Sequence, residues 1–185
     1  MEDRWLALLG VIGPLAAYAF VGVSILSAPW FSWMKNALSD LGHALRRETA
    51  VYYNFGLALS GFLIIVYAIT ALRKHAKYTS LCLAGSAFFL QLVAVFDEIY
   101  GRLHGIVSIL FFVSLGVAAL VYTVEKRSVL GGASFVIGSV AWALYEFDVY
   151  EAGVAVPEII SATAVALWIM LSAIRIYKMP PQESK

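Results

Sequence analysis

Cysteine and charge are what this sequence most lacks. Cys82 stands alone, which rules out an intrachain disulfide, a cysteine metal cluster and a thiol redox pair. Charged residues make up only 14% of the chain, against about 25% in a soluble globular domain, so a water-facing surface of ordinary polarity cannot be built from it. There is no run of basic residues, and the formal net charge is +1, which leaves nucleic-acid binding without an electrostatic basis. Histidine is scarce too, with only His43, His75 and His104.

What the chain has instead is apolar length. Of its 185 residues 62% are hydrophobic, and the mean hydropathy is +0.84. Apolar runs of about 20 residues, enough to cross a hydrocarbon core about 30 Å thick, recur near 5–27, 51–72, 78–96, 103–124, 129–147 and 157–177. The fold class expected is therefore all-α: a polytopic, six-helix transmembrane bundle. It forms one domain over 1–185, with a flexible cytoplasmic tail at 178–185. The first run has no small-residue cleavage site behind it and is expected to remain as a helix. Gly56 with Ser60, and Ser134 with Gly138, sit four residues apart, as small residues do where helices touch. Pro14 falls inside the first run, where it removes a backbone donor.

Charge orients the bundle. With the amino terminus in the cytoplasm, Arg4, Arg73, Lys74, Lys77, Lys126, Arg127, Arg175, Lys178 and Lys185 lie inside, and Lys35, Arg46, Arg47 and Arg102 outside. This excess places a cell-membrane protein with both termini cytoplasmic. Asp40, Glu48, Asp97, Glu98, Glu146, Asp148, Glu151 and Glu158 then gather at the outer side, which is acidic. Near the middle of the helices almost nothing ionises.

The longest connection, 29–50, opens with Trp30, Phe31 and Trp33, amphipathic aromatics favoured at a membrane interface. It continues as NALSDLGH over 36–43, an unusual concentration of polar chemistry. At 100° per residue, Asn36, Ser39, Asp40, His43 and Arg47 fall on one side, and Ala37, Leu38, Leu41, Ala44 and Leu45 on the other. The pattern predicts a short amphipathic outer helix. Such a helix either rests its apolar face on headgroups or caps a cavity with its polar stripe.

Other polar residues favour a cavity, because topology brings them to the same depth. Asn54 begins the second helix, Asp97 and Glu98 end the third, His104 begins the fourth with Ser108 one turn on, and Glu158 begins the sixth. Each also has a structural role open to it. Glu158 follows Pro157 in a first turn, where a carboxylate meets the positive helix end, and Asp97 and Glu98 can pair with Arg102. Gln91, seven residues before Glu98, shares its face and extends the layer inward.

The motif Ser39-Asp40-Leu41-Gly42, followed by Asn54-Phe55-Gly56 within YYNFGLALSG and by His104 at a helix start, resembles the six-helix prokaryotic membrane family catalogued as domain of unknown function 998. The resemblance covers most of the chain and implies a six-helix integral membrane protein without supplying a reaction. The chain is more remotely similar to the seven-helix ceramidase and adiponectin-receptor superfamily, whose members look like intramembrane zinc hydrolases using Ser, Asp and His. It has one helix fewer and no paired histidines in its last helix.

The residues leave three functional readings open. In the first, an acidic outward-facing cavity binds a small molecule, an ion or a lipid, or presents itself to a membrane-protein partner or a second copy of the chain. In the second, a lipid-directed hydrolase holds zinc through His43, His104 and Asp97, or another carboxylate of the layer. Asp40, Ser39 and Glu158 would then be catalytic, with Asn36, Asn54, Glu98 and Ser108 as binding and supporting groups. In the third, His43 and His104 hold a single b-type haem. The bilayer is the one partner common to all three.

Overall fold

A computed structural model of the chain describes residues 2–180. Among these there are no strands, and six helices are long and apolar enough to cross a membrane. They are α1 (Leu9–Leu26), α2 (Arg47–Ile69), α3 (Lys77–Val95), α4 (Arg102–Lys126), α5 (Val129–Glu146) and α6 (Ala155–Lys178). A turn of helix, Glu2–Leu6, precedes α1. Hydropathy places all six; the ends differ where the first turn is polar. Thus α2 begins at Arg47 rather than near 51, its Thr49 and Ala50 amides bonding to the Arg46 carbonyl. The tail expected at 178–185 falls mainly on 181–185, outside the described residues.

Short connections force each helix against the next in sequence, and α6 closes the ring on α1. The ring holds because small residues sit where helices meet. Gly56 of α2 lies against Phe20 of α1, Gly61 of α2 against Ala87 and Gln91 of α3, and Gly138 of α5 against Ser161 of α6. The Ser134 hydroxyl donates across to the Ala164 carbonyl at 2.6 Å. Without a hydrophobic drive between helices in lipid, such close packing and interhelical hydrogen bonds carry association. Gln91 belongs here: its amide donates to the Ala58 carbonyl at 3.2 Å, a tie between α3 and α2 rather than an inward extension of the polar layer.

Burial is inverted relative to a soluble bundle. Ile12, Leu15, Phe62, Phe88, Val113, Val136, Ile137 and Leu167 are exposed around the girdle, a continuous apolar belt that only lipid would cover. Inside, Trp168 is fully buried and stacked on Tyr122 with ring centroids 4.6 Å apart. Tyr67 shares a 2.7 Å hydrogen bond with Ser172, so its hydroxyl does not go unpaired in the core. At the end where α1 begins and α6 finishes, the Glu125 carboxylate accepts from the backbone of Tyr78 and Thr79 and caps α3.

The opposite end is closed by the connection from 27 to 46, and here the sequence expectation is corrected. Instead of an α-helix over 36–43 there is only a 3₁₀ turn, Leu38–Gly42, flanked by extended backbone. Side chains of the connection and of α6 take the amides that lead into this turn. Asp40 accepts from the Ala37 amide at 3.0 Å and from the Asn36 side chain at 2.7 Å. Glu158 accepts from the Leu38 amide, and Asn36 itself accepts from the Ser32 amide at 2.9 Å. Local side-chain acceptors of this kind compete directly with helix formation.

Close packing at Gly61 makes a direct test. A Cβ there would meet Gln91 Cγ at 2.6 Å and the Ala87 carbonyl at 2.7 Å, whereas nothing lies within 4 Å of one at Gly85. Gly61→Val is expected to lower the unfolding temperature in maltoside micelles by several degrees, as overpacking costing about 1–3 kcal/mol does. Gly85→Ala is expected to leave it unchanged or raise it.

Candidate functional site

The turn Leu38–Gly42 is drawn into the bundle end, not laid on its surface. Leu41 is fully buried, and Leu38, Ser39 and Gly42 are buried with it. Three elements hold it. The Glu158 carboxylate at the start of α6 accepts from the Leu38 amide at 2.7 Å, while the Gly153 and Ala155 amides donate to the carbonyls of Trp33 and Asn36 at 2.8 and 3.0 Å. From α2, Thr49 donates to the Leu41 carbonyl at 2.7 Å and Asn54 to the Gly42 carbonyl at 2.8 Å. Gly42 is pressed so closely on Tyr53 and Asn54 that a side chain would not fit. At the water-facing edge, the Arg46 guanidinium sits 3.4 Å from the centroid of the Trp30 ring.

So fixed, the turn presents Ser39 and Asp40 to Glu98 on the next connection. Ser39 donates to Glu98 at 3.0 Å, and the Asp40 carboxyl lies close enough to Glu98 to act on its charge. Glu98 is accordingly pushed up to about 7, first by burial and then by Asp40 beside it; the Ser39 hydroxyl and Arg46 oppose the shift.

Ser39, Glu98 and Glu158, with His104 and Ser108, line one end of a groove of about 720 Å³ between α4 and α5, backed by α6. Glu146 stands at its rim. Phe112, Val117, Phe135 and Val165 continue it into apolar surroundings, and no Lys or Arg lines it. The indole nitrogen of Trp142, also on its wall, has no hydrogen-bond partner among the described residues. His104 is buried with Nδ1 at 2.7 Å from the Phe96 carbonyl, which can only accept. Nδ1 therefore carries the proton, and Nε2 meets the Ser108 hydroxyl at 3.3 Å.

A second, inner cavity of about 130 Å³ lies inside the ring, reaching from Leu38, Tyr53 and Glu158 down to Ile64 and Leu83. Ser39, Ser108, Phe112, Leu115, Glu158 and Val165 face both spaces and form the wall between them.

The family described as "Protein of unknown function (DUF998)" matches residues 11–175. The chain belongs to this family. No curated protein and no solved structure matches it. The matched span contains the whole of the DUF998 chain's polar end, from Ser24 to Glu158, together with the groove between α4 and α5.

The residues singled out in the sequence divide into two groups. Ser39, Glu98, His104, Ser108 and Glu158 line the head of the groove, with Asp40 behind them beside Glu98. Asn36 and Asn54 support them through backbone and side-chain hydrogen bonds. His43 and Asp97 are engaged elsewhere. The His43 ring accepts through Nδ1 from the Leu45 amide at 3.3 Å and does not line the groove. Asp97 accepts from the Ile99 amide at 2.9 Å, capping the turn Glu98–Tyr100. No group of three His, Cys, Asp or Glu side chains able to hold a metal ion occurs among the described residues. The set His43, His104 and Asp97 expected for zinc is therefore not assembled as such a group, and His43 stands off the groove that His104 lines. Gly153, Thr49 and Trp142 were not legible as site residues. Gly153, whose Cβ would collide with the Asn36 backbone, is recognisable only once the connection is seen to reach α6.

The Glu98 proton gives the bundle a pH dependence of definite sign. The folded protein holds a proton that the unfolded chain releases near the ordinary value of 4.5. Stability from this group is therefore lost as pH rises from about 4.5 to about 7. Unfolding of the wild type in micelles is expected to become easier between about pH 5 and about pH 7, and Glu98→Gln to flatten that slope. An unchanged slope in the variant would remove Glu98 as its source.

Proposed function

We propose that the protein binds amphiphiles with a cationic head, received from the outer leaflet into the groove between α4 and α5. The observation that carries this reading is the chemistry of the groove: Glu98, Glu146 and Glu158 at one end, apolar side chains along the rest, and no cation on its lining. An alkyl chain gains from leaving water along the apolar part, at about 0.8 kcal/mol for each CH₂ buried. A positive head compensates carboxylates that would otherwise stand close together. Trp142 and Glu146, one turn apart on α5, pair an aromatic ring with an acid, a combination that favours ammonium groups. The cation excess at the other end of the bundle supports cytoplasmic termini and an outward-facing groove.

The direct test compares two twelve-carbon amphiphiles, an alkyltrimethylammonium and an alkyl sulfate, for retention on the maltoside-purified protein by native mass spectrometry. The cationic compound is expected to be preferred by about tenfold or more, corresponding to about 1.4 kcal/mol. The double variant Glu98→Gln, Glu146→Gln is expected to lose that preference while still binding both weakly. Equal retention of the two compounds by the wild type contradicts the reading.

A further inference from the structure

Buried serines in these helices almost all satisfy themselves. Ser24, Ser80, Ser134, Ser161 and Ser172 each donate to a backbone carbonyl three or four residues back, at 2.7 to 2.9 Å. Ser60 of α2 and Ser86 of α3 do not. They are 1% and 0% exposed, and neither hydroxyl has a partner among the described residues. A buried hydroxyl without a partner is costly and rare in native interiors, and here the two residues that carry one both line the inner cavity.

The remaining lining fixes what can occupy that space. Leu57, Leu83, Leu90, Phe111, Leu115 and Ile169 surround the two hydroxyls. A cavity so apolar stays dry unless a water finds two or more polar partners. Along α2 the lining runs from Tyr53 to Ile64, about 16 Å at the helical rise, which is a slot rather than a sphere. Its acidic residue, Glu158, is at the head of the slot beside Tyr53 and Leu38. Ser60 lies about 10 Å deeper than Tyr53. No charge lines the slot at that depth, so an ionised group would be left unpaired there.

We infer that the inner cavity is a binding site for a single alkyl chain carrying a neutral oxygen function, an alcohol or a carbonyl, which hydrogen-bonds to Ser60 and Ser86 inside the ring. A hydroxyl can donate to a carbonyl or accept from an alcohol, so the pair suits either oxygen chemistry. The site is separate from the groove that receives the cationic head and does not depend on that reading. The two spaces share a wall but not their polar groups at depth.

The experiment uses the full chain in maltoside micelles with a photoactivatable diazirine analogue of dodecanol, and the same diazirine on a plain dodecane as the control. In the wild type the alcohol is expected to label α3 and α4 around Leu83, Ala87 and Phe112, and excess dodecanol to suppress the labelling. Ser60→Ala with Ser86→Ala keeps the volume and removes both hydroxyls. It is expected to reduce alcohol labelling about tenfold, the effect of about 1.4 kcal/mol, and to leave dodecane labelling unchanged. Ser86→Leu, which fills the slot, is expected to abolish both. Competition by dodecanol in the wild type supplies the result independently of how the variants fold. Absence of competed labelling at these positions, or equal alcohol labelling in the double alanine variant, overturns the inference; water alone in the cavity would give the first of these. Retention of the alkyltrimethylammonium is expected to be unaffected by the alanine pair, which separates failure here from failure at the groove.

Discussion

The hydrogen bond from the Leu38 amide to the Glu158 carboxylate, at 2.7 Å, is the contact on which the polar end depends. It joins residues 120 apart in sequence and ties the first connection to the last helix. Glu158 is 9% exposed, and a carboxylate at that depth is tolerable only with hydrogen-bond donors around it. Leu38, for its part, opens the 3₁₀ turn, where its amide has no partner within the turn and needs this acceptor. Parallel backbone bonds from Gly153 and Ala155 to Trp33 and Asn36 make the seam a short ladder. Thr49 and Asn54 of α2 hold the far end of the turn at Leu41 and Gly42, and this seam holds the near end, so the two together fix where Ser39 and Asp40 stand.

From that seam the electrostatics follow. The turn delivers Ser39 and Asp40 to Glu98, and burial together with Asp40 holds a proton on Glu98 to about pH 7. A layer that looks strongly acidic in the sequence is thus partly neutral when folded. Of its other acids Glu146 and Glu158 line the groove, while the exposed girdle is made of aliphatic and aromatic side chains. Arg46, instead of entering the groove, lies over the Trp30 ring at the outer edge. The groove therefore keeps a single sign of charge.

Six helices, their order and the polar layer were legible in the sequence because each follows from one-dimensional chemistry. Runs of apolar residues must cross the bilayer, and short turns make neighbours of consecutive helices. Depth alone put Ser39, Glu98, His104 and Glu158 in one layer, but their meeting at one groove depends on helix order around the ring, which depth does not give. The conformation of 36–43 was not legible. A helical wheel assumes α geometry throughout, whereas the backbone is extended at Ala37 and His43 and turns only as 3₁₀ between them. His43 was placed on the site face by that wheel and leaves it because the backbone at 43 is extended. Ser60 read as a small packing residue and Ser86 as nothing at all, because whether a serine bonds to its own helix is a matter of side-chain rotamer and not of spacing.

The central claim, that Glu158 seats the first connection as a fixed wall of the site, is tested most directly by amide hydrogen exchange in micelles. The wild type is predicted to protect the Ala37 and Leu38 amides despite their place in a connection. Glu158→Ala is predicted to speed exchange over residues 36–42 by about a hundredfold or more, with the α2 and α3 cores unchanged. Leu38 exchanging at the rate of an open loop in the wild type, or unaltered protection in the variant, would contradict the account.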